Sequence, residues 1–244
     1  MKLKNHRKTL TIVIPAYNEE KNIKDAVETV VSIVHDKFRD YEILIFNDCS
    51  KDKTGEIVDR LASKNNKIKV IHNPINKGLG YNYQAGMKMA SKEYFTFFPG
   101  DNENSKEGFE RALNKIGEAD IIIPYTTNLE VRQLHRNIIS SAYVWFMNFL
   151  FGLKLKYYNG NMVYRTKILK DINVTTYGFA YSAEILVKLI KKGYSYEEVG
   201  VTIKPTKKTS IFRLKNIISV FKTIIQLFYD VRIKGLFNGN KKVK

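Results

Sequence analysis

Asp101 and Glu103 are the side chains in this sequence best placed to do chemistry. They stand two residues apart, just past the apolar run 94–98 and the Pro99-Gly100 turn. In an extended loop both carboxylates point to one side. Such a pair can hold Mg2+ or Mn2+, which proteins usually bind through one or two carboxylates and the phosphate oxygens of a substrate. Three segments upstream carry polar groups in the same setting. Thr11-Ile-Val-Ile-Pro-Ala-Tyr-Asn-Glu19 offers Pro15, Tyr17 and Glu19 to frame a base and ribose. Asn47-Asp-Cys-Ser-Lys-Asp-Lys-Thr54 offers Asp48 as an acceptor for a nucleoside, and Asn76-Lys-Gly-Leu-Gly80 a tight turn at Gly78 and Gly80. Glu19 could instead serve a helix dipole, and Asp48 an Asx-turn. Open α/β sheets bind ligands at the C-terminal ends of their strands, and four such segments in order read as a nucleotide-sugar site.

The elements that must position these residues are legible as alternating apolar patterns. Short strand-like runs cover residues 10–14, 41–46, 68–72, 94–98 and 119–123. A helix after the first strand is expected from Ile23, Ala26, Val27, Val30, Val31 and Val34, with Asn18 as its cap. Further helices are expected from Gly55 and from the Gly78/Gly80 turn through Ala90. This alternation predicts an α/β fold with a mostly parallel sheet and helices on both faces. Beyond residue 125 the pattern changes. Residues 138–151 are apolar except for Ser140, Ser141 and Asn148, residues 181–192 read as a helix, and 196–203 as an edge strand. Residues 211–231 form an amphipathic pattern with aromatic bulk on one face and cations beside it. The expected organisation is a domain over residues 1–210, with a nucleotide-sugar half (1–125) and an acceptor half (126–210). A membrane-associating helix and basic tail follow over 211–244.

Charge divides unevenly along the 244 residues. Residues 1–131 hold 20 Lys+Arg against 19 Asp+Glu, whereas 132–244 hold 21 against 5, a local excess of +16. That excess attracts phosphorylated substrates or an anionic membrane. Nucleic acid is not expected as a partner, because no recognised DNA- or RNA-binding module appears. Arg132, Arg136 and Arg165 are candidates for an acceptor phosphate, since guanidinium binds phosphate in a bidentate way. The single Cys49 excludes an internal disulfide framework, and the four histidines lack metal-ligand spacing. There is no GxGxxG fingerprint and no Walker lysine motif, so neither NAD nor ATP is favoured. No run approaches the roughly 18 apolar residues of a spanning helix, and no signal peptide is visible. A cytoplasmic protein, peripheral on the cytoplasmic face of a membrane, is expected.

These segments resemble the family 2 glycosyltransferases of the GT-A fold, and among them the polyprenyl-phosphate sugar transferases of the dolichol-phosphate mannose synthase type. The likeness covers about residues 9–235. Ile14-Pro-Ala-Tyr-Asn-Glu19 is similar to that family's opening motif, and Asn47-Asp-Cys-Ser to its Asp-Asp-Gly-Ser. Asn76-Lys-Gly-Leu-Gly80 with Gly86 resembles its Gly-rich element, and Arg136-Asn-Ile-Ile-Ser140 with Ala142 the start of its acceptor-side helix. Asn159-Gly160 with Tyr164-Arg165 and the pair Ala183-Glu184 fall where it has corresponding segments. The family's Asp-x-Asp reads Pro99-Gly-Asp101 here, Glu103 stands where a Gln ligand is usual, and Thr126 occupies a position where arginine is common.

The resemblance implies inverting transfer of one sugar from a nucleotide-diphosphate sugar to a polyprenyl phosphate, with Asp101 and Arg136 catalytic. A phosphate acceptor is already ionised near neutral pH, so this chemistry needs no base. Two alternatives remain at this point. A family 2 transferase acting on a sugar hydroxyl would need a general base, and Glu184 is the candidate. A non-catalytic, membrane-docked subunit could have kept the fold while its metal motif decayed.

Overall fold

The computed structural model describes residues 7–205 and 214–235. Its sheet has seven strands in the order β3-β2-β1-β4-β6-β5-β7. Strands β1 (Thr9–Ala16), β2 (Asp40–Asn47), β3 (Ile68–His72) and β4 (Tyr94–Phe97) run parallel. Strand β5 (Ile121–Thr126) pairs in parallel with β7 (Tyr196–Val201) at the far edge. Between the two parallel sets lies β6 (Val163–Arg165), antiparallel to both β4 and β5. The expectation of a mostly parallel α/β sheet holds. The three-residue β6 escapes sequence reading because it is too short to show any period.

Helices cover both faces, so the central strands are apolar on both sides. Leu10, Ile12 and Ile14 face α1 (Ile23–Val34), α2 (Thr54–Lys64) and α4 (Lys106–Asn114). Val13, Leu44 and Phe46 point the other way, toward α3 (Leu79–Met89) and α7 (Tyr181–Lys191). That second face also takes in α5 (Leu134–Phe151), the short α6 (Thr166–Leu169) and α8 (Leu214–Phe228), the last through Ile224 and Leu227. A π-helical turn, Tyr229–Ile233, follows α8.

Two local expectations change. Asn18 does not cap α1, which begins at Ile23 after Asn22. Its φ of 57° instead lets its side chain accept from Lys51 N at 2.8 Å, while its own N–H donates to Ser50 Oγ at 3.0 Å. Asn18 therefore joins the exits of β1 and β2. The amphipathic segment expected over 211–231 begins outside the described residues. Within them, helix α8 presents two apolar surfaces. Ile224 and Leu227 are buried, as is Val231 in the turn that follows, whereas Phe221 and Ile225 are exposed. The end of the expected basic tail, 236–244, lies outside the described residues.

Candidate active site

The C-terminal ends of β1, β2, β3 and β4 lie together at one end of the sheet, the side expected to carry the crevice. Asp48 is the carboxylate that organises it. It is 3% exposed, and its Oδ1 accepts from Asn73 Nδ2 at 2.8 Å and from Lys77 N at 2.9 Å. Its Oδ2 accepts from Gly78 N at 2.8 Å. Asn73 in turn donates to buried Asn82 on α3. Gly78 has φ 83°, a conformation that favours glycine, and the turn delivers its N–H to Asp48. Asp48 thus shapes the 76–80 turn that follows β3. Glu19 is similarly engaged, accepting from Asn22 Nδ2 at 2.8 Å, while its backbone N–H donates to Thr54 Oγ1 at 2.8 Å. Tyr17 stands exposed at the rim and Pro15 is half-buried behind it.

The loop after β4 packs directly on that rim. A Cβ on Gly100 would meet the Pro15 carbonyl oxygen at 2.7 Å, so only glycine lets the two exits touch. Asp101 follows, exposed, with Oδ1 accepting from Glu103 N at 3.0 Å. Asn102 adopts φ 56°, and its Oδ1 is buried without a hydrogen-bond partner. As metal ligands, the side chains of loop 101–104 carry carboxylate and amide oxygens and no imidazole or thiol. Among the described residues no group of three or more His, Cys, Asp or Glu forms a metal cage. Two carboxylates and an orphaned amide oxygen fit a hard cation that takes its remaining ligands from substrate phosphates and water. Behind the loop runs the exit of β7. Asn104 bridges to Ile203, Ser105 Oγ donates to Thr202 O at 2.7 Å, and Lys204 N donates to Glu103 O at 3.1 Å.

Of the three arginines, the structure brings two to this end of the sheet. Arg132 follows a 3-10 turn (Leu129–Val131) beyond β5, with its guanidinium 5.6 Å from the Tyr157 ring centroid. Its Nε is buried and has no hydrogen-bond partner. Arg132, Thr126 and Tyr157 line two cavities at once. One, of about 90 Å³, also touches Asn104 and Thr202; the other, of about 340 Å³, touches Ser140, Trp145 and Lys156. Arg136 sits in the first turn of α5, beside Asn137 of the larger cavity. Burial pushes the neighbouring Tyr158 phenol well above its ordinary range, so it stays a neutral donor to Asn148. Arg165 is a correction. Antiparallel β6 sets it opposite Tyr94, at the start of β4, where it pairs with Asp120 at 3.2 Å and Glu93 at 3.8 Å. That is the opposite end of the sheet from Asp101, so the structure does not bring Arg165 to the crevice.

Glu184 is the most deeply buried acid of the chain's second half, at 1% exposure on α7. Oε1 accepts from Thr175 N and Oγ1 at 2.9 and 2.8 Å, and Oε2 from Thr176 N at 3.1 Å. Lys188, one turn on and also buried, pairs with it and donates to Asn173 O at 2.7 Å. The pair clamps the 173–176 segment from beneath.

Glycosyl transferase family 2 is the family whose sequence profile matches, over residues 11–172. The chain belongs to that family. Among its relatives is a polyprenol monophosphomannose synthase of Mycolicibacterium smegmatis, 27% identical over 78% of this chain and 76% of that protein. A dolichyl-phosphate beta-glucosyltransferase of Trichomonas vaginalis, ALG5C, is 30% identical over 49% of this chain. A mannosyltransferase from Pyrobaculum calidifontis, solved with GDP-Man and Mn2+, superposes with a TM-score of 0.65 at 15% identity over 90% of this chain. This chain spans 39% of the Trichomonas protein and 65% of the Pyrobaculum one. At that identity the structural likeness shows the GT-A fold alone.

Around the candidate site of this family 2 glycosyltransferase, the structure also places residues that its sequence did not advertise. Asn73 and Asn82 give no signal, since asparagine after a strand or within a helix has many uses. Lys204 lies in an ordinary basic stretch. Lys188 had one readable clue, its i,i+4 spacing from Glu184.

Proposed function

We propose that this transferase moves a sugar from a nucleotide-diphosphate sugar to a polyprenyl phosphate at a membrane surface. The observation that carries this reading is the state of Glu184. The one acid expected as a base for a hydroxyl acceptor is buried and engaged by Lys188 and three donors of 175–176. An acceptor that is already ionised needs no such base. The names of the mycobacterial and Trichomonas relatives support the same acceptor class. In this reading Asp101 and Glu103 would hold Mg2+ or Mn2+ for the donor diphosphate. Bound there, the cation would supply Lewis-acid stabilisation of the leaving group.

The chain's own residues do the rest by position and charge. The turn shaped by Asp48 and the rim of Pro15, Tyr17 and Glu19 hold the nucleoside. Arg132 and Arg136 hold the acceptor phosphate so that one of its oxygens attacks the anomeric carbon as the bond to the diphosphate breaks. Arg132 lines both cavities, with Lys156 beside it in the larger one, and its buried Nε has no partner within the protein, so its guanidinium is a group that such an anion would satisfy. Arg136→Ala and Arg132→Ala are each expected to lower acceptor-dependent rate about ten- to a hundredfold, with much less effect on donor affinity. Labelled GDP-hexoses and UDP-sugars offered with polyprenyl phosphate, across a range of acceptor concentrations, test this directly. Rates unaltered in both variants would refute the arginine assignment, and no transfer from any donor would refute the acceptor class.

The lipid of such an acceptor matches the outer surfaces of α5 and α8. Leu134, Ile138, Trp145 and Phe149 make an exposed stripe on α5, where Trp145 and Phe149 stack at 5.9 Å. Phe221 and Ile225 are exposed on α8, and Arg232 Nε joins the ends of the two helices by donating to Leu150 O at 3.0 Å. No helix among the described residues is long and apolar enough to cross a membrane. These stripes would rest in the headgroup layer, with the +16 excess adding attraction to anionic lipid. Removing α8 would also uncover the core at Ile224, Leu227 and Val231, so surface changes make the cleaner test. Trp145→Asp with Phe149→Asp is expected to weaken binding to phosphatidylserine vesicles at least tenfold. Phe221→Asp with Ile225→Asp should do the same, both with unchanged circular dichroism. Undiminished sedimentation with the vesicles would contradict the docking.

A further inference from the structure

We propose that Lys204 is a diphosphate-binding cation of this site, standing beside the loop that carries Asp101 and Glu103. The proposal rests on the nucleotide-diphosphate donor argued above and adds a residue to it. Lys204 leaves the end of β7, and two backbone anchors fix where it goes. Its own N–H donates to Glu103 O at 3.1 Å, and the preceding Ile203 is held from both sides by Asn128. Asn128 Nδ2 donates to Ile203 O at 2.8 Å, and Ile203 N donates to Asn128 Oδ1 at 3.0 Å. With its backbone so placed, Lys204 Nζ donates to Asn102 O at 3.0 Å, between the two acidic residues in sequence. An ammonium has three donors, and a carbonyl oxygen takes one of them. The others can go to anionic oxygens brought in by a ligand.

The position matters because two sites meet there. The residues just before Lys204, Thr202 and Ile203, line the smaller cavity that also holds Arg132. Lys204 therefore stands where the donor loop and the acceptor cavity join. The transfer leaves a nucleoside diphosphate whose negative charge grows as the anomeric bond breaks, and a fixed ammonium at that place stabilises it. The loop's two carboxylates are then partly balanced by a charge the chain itself supplies. Nucleoside diphosphate should accordingly keep measurable affinity when divalent cations are removed.

Equilibrium titration of the whole chain with GDP and with UDP, in chelator and again in Mn2+, tests this. Lys204→Ala is expected to weaken binding in chelator roughly tenfold. Lys204→Arg, which keeps the charge, should restore it to within about threefold. Thermal melting should be unchanged, because the backbone bonds of residues 203 and 204 remain. Equal affinities for wild type and Lys204→Ala in both conditions overturn the role of Lys204 alone. A loss that Lys204→Arg does not restore points to loop packing and overturns it too. Failure of wild type to bind either nucleotide in either condition overturns this inference together with the donor class.

Discussion

Asp101→Asn should lower sugar transfer by about 10²–10³-fold, the range expected when one electrostatic stabiliser of a transition state is removed. The fold should not notice. Asp101 is exposed, and its hydrogen bond from Glu103 N can still be accepted by the amide oxygen of asparagine. A surface change of this kind is worth within about 0.5 kcal/mol, or about 2 °C in melting temperature for a chain of this size. The two readouts together separate a chemical role from a structural one. If Asp101 holds a cation, Asp101→Asn should also need more Mn2+ to reach half-maximal transfer. Full turnover of the wild type in excess chelator would remove the metal assignment, whatever Lys204 contributes to binding.

The sheet was legible because its strands are apolar on both faces. Val13, Leu44 and Phe46 fill one side and Leu10, Ile12 and Ile14 the other, so short unbroken runs betray their place. The four polar segments were legible for a related reason. Each lies where a strand ends, and parallel topology sends all such ends the same way. What sequence could not show is how those polar groups pair. Asp48 reads as a ligand acceptor, yet the structure surrounds it with donors from 73, 77 and 78, which are distant in sequence from residue 48. Arg165 reads as a phosphate contact until the antiparallel turn of β6 places it at the other end of the sheet. The direction of one three-residue strand decides that, and no pattern in three residues encodes it.

The amphipathic tail shows the same limit. Its periodicity predicts a helix with one apolar face, and a helix is present over 214–228. A period cannot say whether an apolar face meets the core or the solvent. Here both occur: Ile224 and Leu227 turn into the second core cluster, and Phe221 and Ile225 turn out. The same helix thus contributes both to the core and to the exposed apolar surface.

Glu184→Gln is expected to act first on stability. It would leave Lys188 as an uncompensated buried cation and set an amide N–H2 against a backbone N–H of 175–176. Removing one partner of a buried pair costs about 3–5 kcal/mol. For a chain of this length that is a drop of roughly 6–20 °C in melting temperature. Activity of the single variant therefore cannot by itself distinguish a lost base from a loosened fold. The double variant Glu184→Gln with Lys188→Met removes both charges together and should recover most of the stability, since buried pairs exchanged for apolar groups are often near neutral. On that background the two acceptor chemistries part. With a lipid phosphate acceptor, the double variant should keep transfer within about tenfold of wild type, and Arg136→Ala should be the larger defect. With a sugar hydroxyl acceptor, the loss of a general base should cost about 10²–10⁴-fold even in the restabilised protein. A folded double variant that is nearly inactive, beside a healthy Arg136→Ala, would overturn the polyprenyl-phosphate reading and return Glu184 to the role of base.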